Sequence, residues 1–156
     1  MTDEDRRGPG VKLPPPLIAM VAIGGGWSAD SLLPLPIAAG DELRWGGIVI
    51  VALAFLLALA ALIQFLIAKT HVEPWRPTST IIRGGLFRMS RNPIYLAFCI
   101  AALGAGLIIN SWWGVVAAPL LGCLLQYLVI RREEAYLANK FGDEYLAYKR
   151  NTRRWL

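Results

Sequence analysis

Long stretches of uncharged, apolar residues recur along the chain and predict membrane-spanning helices. Gly46–Ala68 contains one polar side chain, Gln64, and no charged residue. Its 23 residues make about 34 Å of α-helix, which is enough to cross a hydrocarbon core about 30 Å thick. The four expected spans are residues 17–37, 46–68, 94–109 and 112–130. We therefore predict an all-α integral membrane protein with about four transmembrane helices, built as a single domain over residues 1–156.

The first apolar block is the weakest of the four. It contains Asp30, Pro34 and Pro36 and a run of three glycines. A cleavable signal peptide is the alternative interpretation, with an apolar core over residues 17–23. The three prolines and the acidic residues that precede this core are untypical of a signal peptide, which favours a span. Residues 1–12 are expected to be disordered.

One long polar segment lies between the second and third apolar blocks, and another follows the fourth. The loop 69–93 is long for a plain connection, and Trp75, Leu86 and Phe87 argue against disorder. The tail, residues 131–156, repeats apolar and aromatic residues every three to four positions, which predicts a helix with one apolar face. We expect the tail to fold back over the loop and close a pocket, with a tail lying on the lipid surface as the alternative.

The distribution of Lys and Arg along the chain supports the division into spans and polar segments, and it predicts how the protein is oriented in the membrane. The 16 Lys and Arg residues occur as three before the first span, one between the first two, five in the loop, none between the last two, and seven in the tail. This alternation follows the positive-inside rule if both termini are cytoplasmic. Attraction to anionic membrane lipids accounts for the net charge of +5, so no nucleic-acid partner is needed.

Two short stretches carry the candidate chemistry. In Arg91–Tyr95, Asn92 is placed to cap the third span and Pro93 to begin it, so free backbone N–H groups would form an anion site. Glu133 and Glu134 follow the fourth span, where a helix C-terminus disfavours anions. The plainer interpretations are a simple helix cap and ion pairs with nearby arginines.

The expected turn at Asn110–Ser111 makes the third and fourth spans antiparallel neighbours, so both stretches meet at one membrane face. An anion-binding helix end beside two carboxylates suits a zwitterion, such as a free amino acid group. S-adenosylmethionine carries this group. Its sulfonium would also be attracted to nearby aromatic rings, for which the candidates are Tyr95, Tyr145 and Tyr148.

The sequence has few residues that could serve metal binding, a catalytic triad or dinucleotide binding. His71 is the only histidine, so neither a His-based metal cluster nor a Ser-His-Asp triad is expected. Cys99 and Cys123 both fall inside spans and are interpreted as small packing residues. Gly104–Gly106 also lies inside a span and indicates close helix packing rather than a dinucleotide loop.

The sequence resembles the isoprenylcysteine carboxyl methyltransferase family, within the wider group that includes membrane phospholipid N-methyltransferases. The family pattern G-P-Y-x-x-x-R-H-P-x-Y-x-G is matched in part over residues 85–97, at Gly85, Arg91, Pro93 and Tyr95. The pattern E-E-x-x-L-x-x-x-F-G-x-x-Y-x-x-Y is matched at every anchor over Glu133–Tyr148. The resemblance implies S-adenosylmethionine as methyl donor and a lipophilic small molecule or lipid as acceptor.

The resemblance also implies site roles. The residues implied in cofactor binding are Asn92, Pro93, Tyr95, Glu133, Glu134, Tyr145 and Tyr148. The candidate catalytic residues are Arg91, to orient an anionic acceptor or the cofactor carboxylate, and Glu134, ahead of Glu133, for the cofactor ammonium or ribose. Arg88 is the second candidate cation. Asn92 stands where the family has His, and it cannot act as a base near pH 7; Leu86 and Ala97 replace a family Pro and Gly.

Three other functions fit parts of the pattern. A phospholipid N-methyltransferase is the nearest alternative, and a nicotinamide-dependent reductase of a related membrane fold is another. A non-enzymatic four-span protein, such as a small transporter, belongs to a different class. A transporter is expected to carry a charged residue near mid-membrane, whereas Asp30 and Gln64 lie near span ends.

Overall fold

The computed structural model describes residues 8–38 and 42–156. These residues contain six α-helices and the segments that connect them. They are α1 (Pro15–Leu32), α2 (Glu42–Ile67), α3 (Pro93–Ile108), α4 (Trp112–Leu125), α5 (Arg131–Phe141) and α6 (Asp143–Asn151). A short 3₁₀ turn, Gly85–Arg88, lies in the loop before α3, and a π-helical turn, Gln126–Ile130, joins α4 to α5. These residues contain no β-strand, which agrees with the predicted all-α class.

Two helical stretches are long and apolar enough to cross a membrane. They are α2 and the continuous helix Trp112–Phe141, and α3 is a shorter apolar helix of 16 residues. The exposed side of α2 presents large apolar side chains, including Phe55, Leu66 and Ile67, as a lipid-facing helix should. Residues 112–130 are uncharged and span about 29 Å, so residues from 131 onward extend beyond a hydrocarbon core of ordinary thickness.

The end of the first predicted span differs from the structure. The first helix ends at Leu32 rather than residue 37, because Pro34 and Pro36 cannot donate helical hydrogen bonds and favour extended backbone before them. The last span, predicted over residues 112–130, continues without a break through the π turn into α5, the first part of the tail that was predicted to be helical.

The backbone after α1 is bound to the turn between α3 and α4. Asn110, with a φ of 52°, accepts hydrogen bonds through Oδ1 from the backbone N–H groups of Ile37 and Ala38, at 3.2 and 3.1 Å. Ser111 caps α4 by accepting a hydrogen bond from Trp113 N at 3.2 Å. The turn predicted at Asn110–Ser111 is therefore confirmed, and it leaves α3 and α4 antiparallel.

The segment before α1 packs against the bundle. Disorder was the expectation for residues 1–12, of which residues 1–7 lie outside the described part of the chain. Val11, however, is buried, and Arg132 donates a hydrogen bond from Nη1 to the carbonyl oxygen of Gly10 at 3.1 Å. These partners are distant in sequence, so local composition gives no sign of them.

Helix α3 packs against α1, α2 and α4. Small residues allow close approach: a Cβ added to Gly106 would lie 2.4 Å from the carbonyl carbon of Gly114 in α4, and one added to Gly47 would lie 2.6 Å from the carbonyl oxygen of Gly104. The prediction that Gly104–Gly106 serves close helix packing is confirmed. This packing brings the start of α3 beside the junction of the π turn with α5.

Candidate functional site

A cavity of about 370 Å³ lies at the end of the bundle where α3 begins, within the size range of small-molecule sites, about 300–1,000 Å³. Its walls come from the start of α3, from α5 and α6, from the loop before α3 and from the last turns of α2. All eight predicted site residues line it, namely Arg91, Asn92, Pro93, Tyr95, Glu133, Glu134, Tyr145 and Tyr148. Arg88, the second candidate cation, is exposed and does not line the cavity.

The tail folds over the loop, as predicted. Tyr148 donates a hydrogen bond from its hydroxyl to the carbonyl oxygen of Phe87 at 2.6 Å, and Arg83 of the loop pairs with Glu144 of α6. Gly142, with a φ of 51°, allows the chain to change direction between α5 and α6. Asp143 is the first residue of α6, and Gly142 holds the cap position before it.

Two tyrosines of α6 form the aromatic wall of the cavity. The rings of Tyr145 and Tyr148 pack edge to face with centroids 6.1 Å apart, and both side chains are buried. Burial raises the pKa of both hydroxyl groups above the ordinary value, so both rings stay neutral at physiological pH.

Asn92 occupies the cap position of α3, but its side chain does not cap the helix. Its Nδ2 instead donates a hydrogen bond to the carbonyl oxygen of Arg154 at 3.0 Å, so the predicted side-chain cap is wrong. Pro93 begins the helix as predicted. Within the described residues, no side chain therefore caps the first turn of α3, and its backbone N–H groups remain available to an anion.

Glu134 is buried within a cluster of three cations. Arg154 donates two hydrogen bonds to its carboxylate, at 2.8 Å each, while Arg91 Nη1 lies 3.0 Å and Lys149 Nζ 3.6 Å from its oxygens. Burial alone would raise the pKa of Glu134, but the bonds from Arg154 and the surrounding positive charges outweigh it and hold that pKa below its ordinary value. Glu134 is therefore a firmly ionised carboxylate that is already paired.

Arg91 is less well paired than its distance to Glu134 suggests. Its side chain is 9% exposed, and neither Nε nor Nη1 has a hydrogen-bond partner in the described part of the chain. The 3.0 Å contact between Nη1 and Glu134 is close enough for an ion pair but lacks the alignment of a hydrogen bond. Arg91 lines the cavity, and its incompletely hydrogen-bonded guanidinium carries a positive charge suited to attract an anionic group.

Glu133 has a different environment. Its carboxylate accepts a hydrogen bond from the Tyr95 hydroxyl at 2.7 Å, and no cation of the described residues lies within ion-pair distance of it. Burial raises the pKa of Glu133 to about 7; the hydrogen bond from Tyr95 lowers it and the charge of Glu134 raises it. A half-buried carboxylate without a cation is suited to pair with a positively charged ligand group.

The π-helical turn Gln126–Ile130 determines which way these two glutamates face. A π turn accommodates one extra residue, which rotates everything after it by about 100° relative to an uninterrupted α-helix. Tyr95 of α3 can then reach Glu133, while Arg91 and Arg154 reach Glu134. The apolar sequence of this turn gives no sign of the extra residue.

Sequence reasoning missed several residues of the site. Arg154 and Lys149 are two of seven cations in the tail, and no spacing distinguishes them from the others. It also missed the apolar walls of the cavity, which include Pro15 and Pro16 of α1 and Ala58, Leu62 and Phe65 of α2. One lipid-facing helix residue resembles another in sequence, so only the packing identifies those at the cavity.

This arrangement places an unsatisfied guanidinium, the uncapped start of α3 and an unpaired carboxylate around one cavity, as the binding of a zwitterion would require. The model of a family described as "Phospholipid methyltransferase" matches residues 43–144. The chain therefore belongs to the phospholipid methyltransferase family, and its predicted membership of that wider group of membrane methyltransferases is confirmed. A relative from Haemophilus influenzae, described as "Uncharacterized protein", is 48% identical over 46 residues, which is 30% of this chain and 68% of the relative.

Proposed function

We propose that this protein is an S-adenosylmethionine-dependent methyltransferase of the membrane, which transfers a methyl group to a lipophilic acceptor. The observation that carries the proposal is the meeting of Arg91, the start of α3 and Glu133 on one cavity in a member of a methyltransferase family. These groups are complementary to the carboxylate and ammonium of the methionine part of the cofactor.

Each group has its own part in binding. Arg91 and the first-turn N–H groups of α3 take the cofactor carboxylate. Glu133 takes the ammonium, ahead of Glu134, because Glu134 is already paired with three cations whereas Glu133 has none. Asn92 and Pro93 shape the wall beside the carboxylate.

The proposed reaction is an in-line displacement. The acceptor atom forms a bond to the methyl carbon while the carbon–sulfur bond breaks and sulfur keeps the electron pair. Sulfur loses its positive charge in this step, so a dry pocket favours a neutral or anionic nucleophile. The protein contributes chiefly by holding the two reactants in line, and the rings of Tyr95, Tyr145 and Tyr148 stabilise the sulfonium before transfer.

The family match favours a phospholipid as the acceptor, and an isoprenylcysteine-like acid is the second candidate because the two sequence motifs resemble that family. We further propose that four helices cross the membrane with both termini cytoplasmic, on the alternation of cations along the chain. The site then faces the compartment that contains the cofactor.

Calorimetry in detergent tests the proposal. S-adenosylhomocysteine should bind the purified protein in the micromolar range, and NADPH should not bind. Glu133→Gln preserves shape but removes the charge, and it should weaken binding about tenfold or more, as expected for loss of a charge-assisted hydrogen bond worth about 1.5–3 kcal/mol. Binding of NADPH without S-adenosylhomocysteine would instead support the reductase alternative, and equal affinity in Glu133→Gln would overturn the assignment of the ammonium.

A further inference from the structure

The segment Thr152–Leu156 lies outside the residues that the family model matches, but it is bonded to the site at several points. The carbonyl oxygen of Arg153 accepts a hydrogen bond from Arg91 N at 3.0 Å. The carbonyl oxygen of Arg154 accepts hydrogen bonds from Asn92 Nδ2 at 3.0 Å and from Ser90 Oγ at 3.3 Å. The segment therefore holds the backbone and side chains that begin α3.

The guanidinium of Arg154 forms the strongest of these contacts. Its Nε and Nη2 donate to the two different oxygens of Glu134, at 2.8 Å each, in the parallel geometry that only arginine provides. A carboxylate held by two bonds in this way cannot turn freely. Glu134 Oε1 consequently stays close to Arg91 Nη1 without forming an aligned hydrogen bond to it.

We propose that Arg154 is a positioning residue for the methyl-transfer site: its two parallel hydrogen bonds fix the orientation of Glu134, so that Glu134 forms an ion pair but no aligned hydrogen bond with Arg91, and the charge of Arg91 stays available to an anionic group of the ligand. The proposal rests on the proposed function, because that anionic group is the carboxylate of S-adenosylmethionine or its product. Without Arg154, Glu134 is free to turn and form aligned hydrogen bonds with Arg91, and the ligand carboxylate then competes with Glu134 for that guanidinium.

Arg154 also affects the electrostatics of Glu133. The titratable and charged groups around Glu133 are Tyr95 from α3, Glu134 beside it, Tyr145 from α6, and Arg91, His71 and Glu73 on the cavity wall. The charge of Glu134 raises the pKa of Glu133, and Arg154 compensates much of that charge. Loss of Arg154 should therefore raise the pKa of Glu133 further, an effect that a purely structural residue would not produce.

The test measures S-adenosylhomocysteine binding to the full chain between pH 6 and 8, for wild type, Arg154→Ala, Arg154→Lys and Arg150→Ala. Arg150 is an exposed arginine of α6 that lines no part of the cavity, so Arg150→Ala matches the change in net charge. Arg154→Ala should weaken binding about tenfold or more and move the pH midpoint of binding upward. Arg154→Lys should recover part of the affinity, and Arg150→Ala should resemble wild type.

The outcomes separate the two proposals. Failure of wild type to bind S-adenosylhomocysteine would refute the proposed function. Binding by wild type with equal affinity and pH midpoint in Arg154→Ala would refute the role of Arg154 and leave the proposed function standing. If size-exclusion chromatography shows Arg154→Ala to be misfolded, Arg154→Lys decides: it keeps the charge but not the two parallel bonds, and wild-type affinity in that variant would overturn the proposal.

Discussion

Glu133 and Glu134 are neighbours in the chain, but different groups surround their carboxylates. Glu134 faces three cations, and Glu133 faces the neutral hydroxyl of Tyr95. The sequence motif predicts the glutamate pair and its place beside the start of α3. From the sequence, Glu134 ranks ahead of Glu133. The surroundings of the two carboxylates favour the reverse order, because Arg154 and Lys149 approach Glu134 from the tail and the π turn sets the direction of each side chain. Adjacent carboxyl groups whose pKa values are pushed apart in this way take separate roles.

Binding of S-adenosylhomocysteine should weaken as the pH falls through about 7. Burial raises the pKa of Glu133 to about 7, so below that pH the free protein carries a proton there and must lose it to pair with the ligand ammonium. Well below pH 7, the affinity should fall about tenfold for each pH unit. Binding near pH 6 should release about one proton to the buffer. Calorimetry in buffers of different ionisation enthalpy measures both quantities.

Two variants identify the titrating group. Glu133→Gln should bind more weakly and lose the pH dependence between 6 and 8. His71→Asn removes the imidazole on the cavity wall and should leave the pH dependence as in wild type. A pH dependence that persists in Glu133→Gln and disappears in His71→Asn would assign the titration to His71 instead.

At the scale of the helices, apolar blocks and prolines explain most of the fold. The uncharged run 46–68 predicts α2, and Pro93 marks the start of α3. The sequence misplaces the end of α1 because its apolar composition continues past the prolines that end the helix. The periodicity of the tail predicts its helices, but the sequence does not show that the last span runs into α5 without a break.

Gly106 of α3 has no room for a side chain. A Cβ at this position would meet the backbone of Gly114 at 2.4 Å, so Gly106→Ala must push α3 and α4 apart. We expect a destabilisation of about 1–3 kcal/mol, as for other overpacked interiors, seen as a lower thermal midpoint in detergent. Gly24→Ala is the control, because a Cβ at Gly24 in α1 meets nothing within 4 Å. A thermal midpoint lowered equally in both variants would show that the α3–α4 contact is not the cause.

At the scale of the whole molecule, the cavity joins a polar end to an apolar one. Its polar groups lie at the start of α3 and on α5, while Pro15 and Pro16 of α1 and Ala58 and Leu62 of α2 provide apolar walls. Ala58 is nine residues before the end of α2, about 14 Å along that helix. The cavity therefore borders the part of the bundle that faces hydrocarbon, beside a polar site.

A lipophilic acceptor should enter this cavity sideways from the bilayer, past the apolar residues of α1 and α2. An acyl chain that stays in the membrane avoids a transfer cost of about 0.8 kcal/mol per methylene. Methyl transfer in nanodiscs should therefore accelerate as the alkyl chain of a series of acceptors with one head group grows, and then level off. Ala58→Trp fills the apolar wall and should slow transfer to long-chain acceptors without changing S-adenosylhomocysteine affinity. Leu59→Trp, at an exposed residue of α2 outside the cavity, should change neither. Equal rates across the series, or equal effects of the two tryptophans, would contradict lateral entry and favour a small soluble acceptor that enters beside the cofactor.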